Sequence, residues 1–158
     1  MRVLGIDPGT GIVGFGVIDV SGQDKALVDA GVIRTAPHQP LDERLLEIFD
    51  EMTSVIQETN PEVMVIEKLY FARNVTTAIS VSHARGVMML AAKQAKLQII
   101  EMTPLEIKQS ITGYGQATKQ QVQQMVQTML SLKSLPQPDD CADALAAALC
   151  FQPVMRHQ

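Results

Sequence analysis

An α/β fold is predicted for this 158-residue chain: a five-stranded mixed sheet with helices on both faces. Two features lead there. Residues 2–34 hold three strand-like apolar runs joined by short turns, the pattern of an antiparallel meander. From residue 41 onward, stretches with helical periodicity alternate with two further apolar runs, at 63–66 and 98–101, which is the rhythm of a layered α/β sheet.

Arg2 to Asp7 reads as a buried strand, and Pro8, Gly9, Thr10 and Gly11 supply a turn into a second strand from about Ile12 to Val20. Gly22 to Asp24 turns the chain again into a third strand, Ala26 to Arg34, and Thr35 to Pro40 breaks the pattern. Leu45, Ile48, Phe49, Met52, Val55 and Ile56 then recur at helical spacing, with Glu47, Asp50, Glu51 and Glu58 on the outer side. Asn60 and Pro61 stop that helix. Val63 to Ile66 is a continuous apolar run, suited to a strand covered on both faces. A polar loop, Lys68 to Asn74, leads to a helix from Val75 to about Ala95 with small residues at Ala78, Ser82 and Gly86, a stripe that permits close helix contact. Gln98 to Glu101 is a short strand. Thr103 followed by Pro104 pairs a cap residue with a first-turn proline and starts the next helix. Gly113 to Gly115 separates it from a glutamine-rich helix, Lys119 to Leu130. Pro136 and Pro138 introduce Asp139, read as the N-cap of a final alanine-rich helix reaching about Cys150.

The length suits one domain over residues 1–158, large enough to bury a core without staples. A hydrophobic content of 46% with 19% charged residues is ordinary for a globular protein, and no apolar run is long enough to cross a bilayer. Met1 leads straight into a strand with no secretory pattern, so a cytoplasmic protein is expected. Cys141 and Cys150 fall on opposite faces of one helix, roughly 13 Å apart along its axis, too far to bond. The two cysteines and His38, His83 and His157 show no zinc spacing. The net charge of −4 is unevenly spread: residues 1–62 carry four basic and eleven acidic side chains, a balance of −7, whereas residues 63–158 carry nine and six, a balance of +3. A basic half is compatible with phosphate contacts; it is equally compatible with two differently solvated faces.

Four acids stand out against this background. Asp7 and Glu67 each end an apolar strand, and ligands of open α/β sheets gather at the carboxyl ends of strands. Asp140 and Asp143 are spaced i, i+3 at the start of the last helix and so share one of its faces. For Asp140 alone a first-turn acid would suffice as an explanation; an acid at 143 among alanines is less easily explained so. Like charges repel in a low-dielectric interior, so a converged set of carboxylates calls for a cation. Hard oxygen donors suit Mg2+, with Mn2+ as a substitute, and two ions about 4 Å apart would equip the site for phosphodiester hydrolysis.

At these residues the chain resembles the RuvC family of Holliday-junction resolvases, within the ribonuclease H-like superfamily, over nearly its whole length. Residues 4–18, LGIDPGTGIVGFGVI, are similar to the family's opening strand and hairpin; residues 65–74, VIEKLYFARN, to its second acidic segment; residues 137–145, QPDDCADAL, to its last. The resemblance implies that Asp7, Glu67, Asp140 and Asp143 are metal-binding catalytic carboxylates, with Asp139 outside the set. It also covers Glu106 to Gln109 and Gly113 to Gln121, and implies phosphate-contacting lysines at Lys108 and Lys119, the latter supporting the transition state. Tyr70 stands where relatives carry a phenylalanine that stacks on bases opened at the crossover. Arg73 and Arg85, with Lys93 and Lys96, are candidates for DNA phosphate contacts. The implied activity is Mg2+-dependent cutting of two like-polarity strands of a four-way DNA junction, leaving 5′-phosphate and 3′-hydroxyl ends. A homodimer suits two symmetric cuts, with the Ala78, Ser82 and Gly86 helix as candidate interface. The branch-migration proteins RuvA and RuvB are further implied partners.

Other readings remain open on sequence. Residues 5–10, GIDPGT, also resemble the phosphate-binding hairpin of the actin, sugar-kinase and heat-shock ATPase superfamily. Related nucleases process ribosomal RNA on the same fold. A junction-binding module whose acids only cap and solvate is the non-catalytic option.

Overall fold

The structure is a computed structural model that describes residues 1–69 and 75–152. Its strands are β1 (Arg2–Asp7), β2 (Ile12–Ser21), β3 (Asp24–Arg34), β4 (Val63–Glu67) and β5 (Gln98–Met102). Its helices are α1 (Leu41–Thr59), α2 (Val75–Gln94), α3 (Pro104–Thr112), α4 (Lys119–Met129) and α5 (Asp139–Leu149). The strands form one sheet in the order β3-β2-β1-β4-β5. β1, β2 and β3 pair antiparallel, whereas β1–β4 and β4–β5 are parallel. The mixed sheet expected from the sequence is therefore present, with all five strands. The second turn is tighter than expected: Ser21 pairs with Asp24, and Gly22 takes a φ of 62°, which glycine adopts without a Cβ clash.

Strand alternation sends successive side chains to opposite faces and so builds two apolar layers. Leu4, Ile6, Met64 and Ile66 pack with Val13, Val17 and Ile33 against Ile48, Met52 and Ile56 of α1 and Ala84, Met88 and Ala92 of α2. Val3, Ile18, Val63 and Val65 pack on the other side against Ile107 and Ile111 of α3, Val122 and Val126 of α4, and α5. α1 ends where Asn60 enters the left-handed region at φ 50° and its amide bonds the Ile56 carbonyl, a helix stop of the expected kind.

α5 lies on β1 and β2 with almost no side-chain spacer. A Cβ on Gly5 would stand 2.0 Å from the Ala144 carbonyl oxygen, and one on Gly14 would stand 2.1 Å from that of Asp140. Glycines below and alanines above let a helix buried along Ala144 to Leu149 sit directly on the strands. Among the described residues no helix is long and apolar enough to cross a membrane.

The start of α5 corrects one expectation. Pro138, not Asp139, occupies the N-cap, in extended conformation and without a side-chain capping bond. Asp139 is the first helical residue, and its carboxylate reaches across to Lys119, 3.5 Å away.

Candidate active site

The same alternation that builds the two layers decides where the strand-end acids point. Asp7 shares the parity of Val3 and Gly5, and Glu67 that of Val63 and Val65, so both side chains leave the sheet on the α5 side. The parallel register pairs Ile6 with Ile66, which makes Asp7 and Glu67 the next residues along on adjacent strands. Asp7 also faces Gly14 across the β1–β2 ladder, and Gly14 is where the Asp140 backbone rests on the sheet. The close seat of α5 thus carries Asp140 and, one turn on, Asp143 to the ends of β1 and β4.

Electrostatics register this convergence. The Asp7 carboxyl is pushed up to about 7, first by burial and then by Asp143, Glu67 and Asp140, with Lys119 opposing. Glu67 is raised by burial and by Asp143, with Lys108 opposing. The Lys119 ammonium is held above the usual lysine range, chiefly by its hydrogen bond to Asp143 at 2.9 Å. Lys108, Lys119, Glu67 and Asp143 line one cleft of about 260 Å³, walled by Pro104, Ile107 and Val122.

Among the described residues no three of His, Cys, Asp and Glu are drawn tightly enough together to form a ready metal cage. The donor chemistry fits a hard divalent cation nonetheless. The acids supply oxygen ligands only, burial and then their mutual repulsion raise the Asp7 carboxyl, and the ammonium of Lys119 lies against Asp143.

The nine candidate residues therefore divide. Asp7, Glu67, Asp140, Asp143, Lys108 and Lys119 meet at one end of the sheet. Tyr70 and Arg73 lie outside the described residues. Arg85 is placed elsewhere than expected. Its side chain, 16% exposed, donates from Nε to the Glu67 backbone carbonyl at 2.9 Å and is ion-paired with Glu101. Glu101 follows Ile100 and precedes Met102, both packed on the α5 side, so it projects toward α2, away from the cleft. The helix rotation that buries Ala84 and Met88 fixes this choice, and a guanidinium so engaged is a poor candidate for a DNA phosphate contact.

Two contributions escaped the sequence reading. The glycines of β1 and β2 set the height of α5; their signal was legible as Gly5, Gly14 and Gly16 on one sheet face, but its meaning required knowing what lay above. A polar chain also secures the turn after Asp7: Thr10 Oγ1 donates to Ser80 Oγ of α2 at 3.1 Å, Thr35 Oγ1 to the Thr10 carbonyl at 2.6 Å, and Arg44 Nε to Thr35 Oγ1 at 2.8 Å. No spacing rule points to that chain.

Comparison with known proteins identifies the family. A family model described as crossover junction endodeoxyribonuclease RuvC matches residues 3–151. The crossover junction endodeoxyribonuclease RuvC of Desulfitobacterium hafniense is 51% identical over 150 residues, covering 95% of this chain and 91% of that one. That of Thermomicrobium roseum is 44% identical over 151 residues, covering 96% and 92%. Thermus thermophilus RuvC in complex with Holliday junction substrate superposes with a TM-score of 0.90 at 36% identity, covering 95% of this chain and 92% of that one. The yeast mitochondrial Holliday junction resolvase, at 14% identity and a TM-score of 0.64 over 94% of this chain and 77% of that one, shares the ribonuclease H-like fold. By the extent of the family match and the identity to its members, this chain belongs to the RuvC family of crossover junction endodeoxyribonucleases.

Proposed function

We propose that this protein, as one ribonuclease H-like nuclease domain over residues 1–158, resolves four-way DNA junctions by hydrolysing one phosphodiester in each of two like-polarity strands. Asp7, Glu67, Asp140 and Asp143 would hold Mg2+, or Mn2+ in its place, as two ions per site. The chemistry the ions supply when bound is activation of water and neutralisation of charge on the scissile phosphate. Asp7 and Glu67 would contribute from strand ends and Asp140 and Asp143 from a helix seated on the same strands, which keeps all four at one end of the sheet. Attack of water on phosphorus breaks the bond to O3′, leaving 5′-phosphate and 3′-hydroxyl ends. Lys119, at the start of α4, exchanges its contact with Asp143 for the scissile phosphate and stabilises the added negative charge there. Lys108, on the opposite wall, contacts a neighbouring phosphate, as does Arg73. Tyr70 stacks on a base opened at the crossover, worth about 1 to 3 kcal/mol.

Two copies meet along α2. Val75, Ile79 and Leu90 on that helix are 65%, 49% and 51% exposed, in line with the small residues Ser82 and Gly86, a narrow apolar stripe that a second copy would cover. The protein acts in the cytoplasm, together with RuvA and RuvB.

The observation that carries this reading is the meeting of Asp7 and Glu67, at the carboxyl ends of two adjacent parallel strands, with the α5 end that rests on Gly14 and brings Asp143 to 2.9 Å from Lys119. The test compares cleavage of a synthetic four-way junction, a linear duplex and a structured RNA in Mg2+, with Asp7→Asn as control. The expected result is cutting confined to the junction, and an Asp7→Asn protein that binds the junction while its cutting rate falls by orders of magnitude. Preference for RNA, or unchanged cutting by Asp7→Asn, would overturn it.

A further inference from the structure

The geometry points to Arg85 as a positioning residue for the acidic centre: from the far side of the sheet it fixes the strand end that carries Glu67. This rests on the carboxylate site proposed above. The β1–β4 register ends at Ile6 and Ile66, whereas on the other edge Glu67 is still in register with Met102 of β5. Where the pairing with β1 has stopped, Arg85 Nε donates to the Glu67 carbonyl at 2.9 Å. The same guanidinium is ion-paired with Glu101 of β5, the register neighbour of Ile66. On the β5 side, the Lys68 amide donates to the Met102 carbonyl at 2.7 Å. The backbone of Glu67 is thereby held on both sides just as the strand runs out, and the direction of its side chain into the cleft follows from that backbone.

An arginine is required because its planar fork reaches two acceptors at once, whereas the point charge of lysine satisfies one of them well. Its position on α2 also separates it from the cleft lysines. Lys108 and Lys119 line the cleft, whereas Arg85 belongs to the helix packed on the opposite face of the sheet. Displacements of an ångström at a catalytic group can cost about a hundredfold in rate, so a loosened Glu67 should show in metal capture and chemistry while leaving DNA affinity alone.

The experiment uses the full chain with Arg85→Ala, Arg85→Lys and Glu101→Gln, and Asp7→Asn as a control on the site itself. Four quantities are read: junction affinity in EDTA, Mn2+ binding by calorimetry, single-turnover cutting against Mn2+ concentration, and amide hydrogen exchange at Lys68 in the metal-free protein. Arg85→Ala is expected to weaken Mn2+ binding and slow cutting by about tenfold each, to speed exchange at Lys68, and to leave the junction Kd within about twofold. Arg85→Lys should recover part of both losses, and Glu101→Gln should show the same pattern at about two- to threefold. A fall in junction affinity for Arg85→Ala larger than its fall in Mn2+ affinity, with a salt slope reduced by about one, identifies a phosphate contact and overturns the proposal. Unchanged Mn2+ binding and Lys68 exchange overturn it too. Should Arg85→Ala not fold, Arg85→Lys and Glu101→Gln decide by the same two readouts. Undiminished Mn2+ binding by Asp7→Asn would sink the carboxylate site itself, whatever Arg85 does.

Discussion

Asp7 shows what the acidic cluster costs the protein on its own. A carboxyl whose pKa is raised from 3.8 to about 7 binds its proton more tightly in the folded state than in the unfolded chain. Its contribution to stability is therefore complete below about pH 4 and is lost as pH rises through 7. Metal-free protein should be less stable at pH 8 than its Asp7→Asn variant, by an amount on the order of 2 kcal/mol, and the gap should close toward pH 4. Thermal or urea unfolding of both proteins across that range, in EDTA, reads the difference. Mg2+ at pH 8 should raise the melting temperature of the parent and do little for the variant, because a ligand stabilises only the state that binds it. The sequence made this residue legible, since strand-end acids and the i, i+3 pair are patterns in one dimension. Arg85 is the opposite case. Its side of α2 depends on how a helix with apolar residues around much of its circumference is rotated against the sheet, and neither spacing nor composition fixes that angle.

Among the elements, α5 and α4 set the geometry of the cleft by different means. α5 relies on contact: a methyl group at Gly5 or Gly14 would collide with backbone, which cannot rotate aside as a side chain can. Gly5→Ala and Gly14→Ala should each destabilise the fold by about 2 to 4 kcal/mol, measured by denaturant unfolding, and any folded fraction should cut poorly because Asp140 and Asp143 ride outward with the helix. α4 relies on capping. Thr118 accepts from the Gln121 amide at 3.2 Å, and Gln121 Oε1 accepts from the Thr118 amide at 2.8 Å, which anchors the turn that presents Lys119. Thr118→Ala should cost about 1 kcal/mol and slow cutting more than it weakens junction binding. The second capping box, Thr103 with Glu106, was half visible in sequence as Thr103 before Pro104. Asp139 was assigned a cap role because acids favour that position. With Pro138 already there, the acid falls one residue later and turns to Lys119.

At the scale of the whole molecule, the five strands and five helices of the described residues follow the sequence order that hydrophobic periodicity suggested, because long regular elements carry strong periodic signals. Which ends of them meet is a property of register and layer, which no local pattern records. The exposed stripe on α2 gives a prediction at this scale: Ile79→Glu should shift the proposed dimer to monomer in sedimentation. It should also convert paired cuts in a cruciform plasmid to single nicks, with folding preserved because Ile79 already faces solvent. α2 has a second property. The helix offering that stripe outward is also the one whose Ser80 meets the Thr10 turn after Asp7 and whose Arg85 grips the Glu67 strand end. Two copies joined along it would have their cutting centres geared through a single rigid shaft, with no hinge or linker in between. The span between the blades would then be fixed by the protein, and the flexible partner, the branched DNA, would have to open until its two scissile bonds match that span.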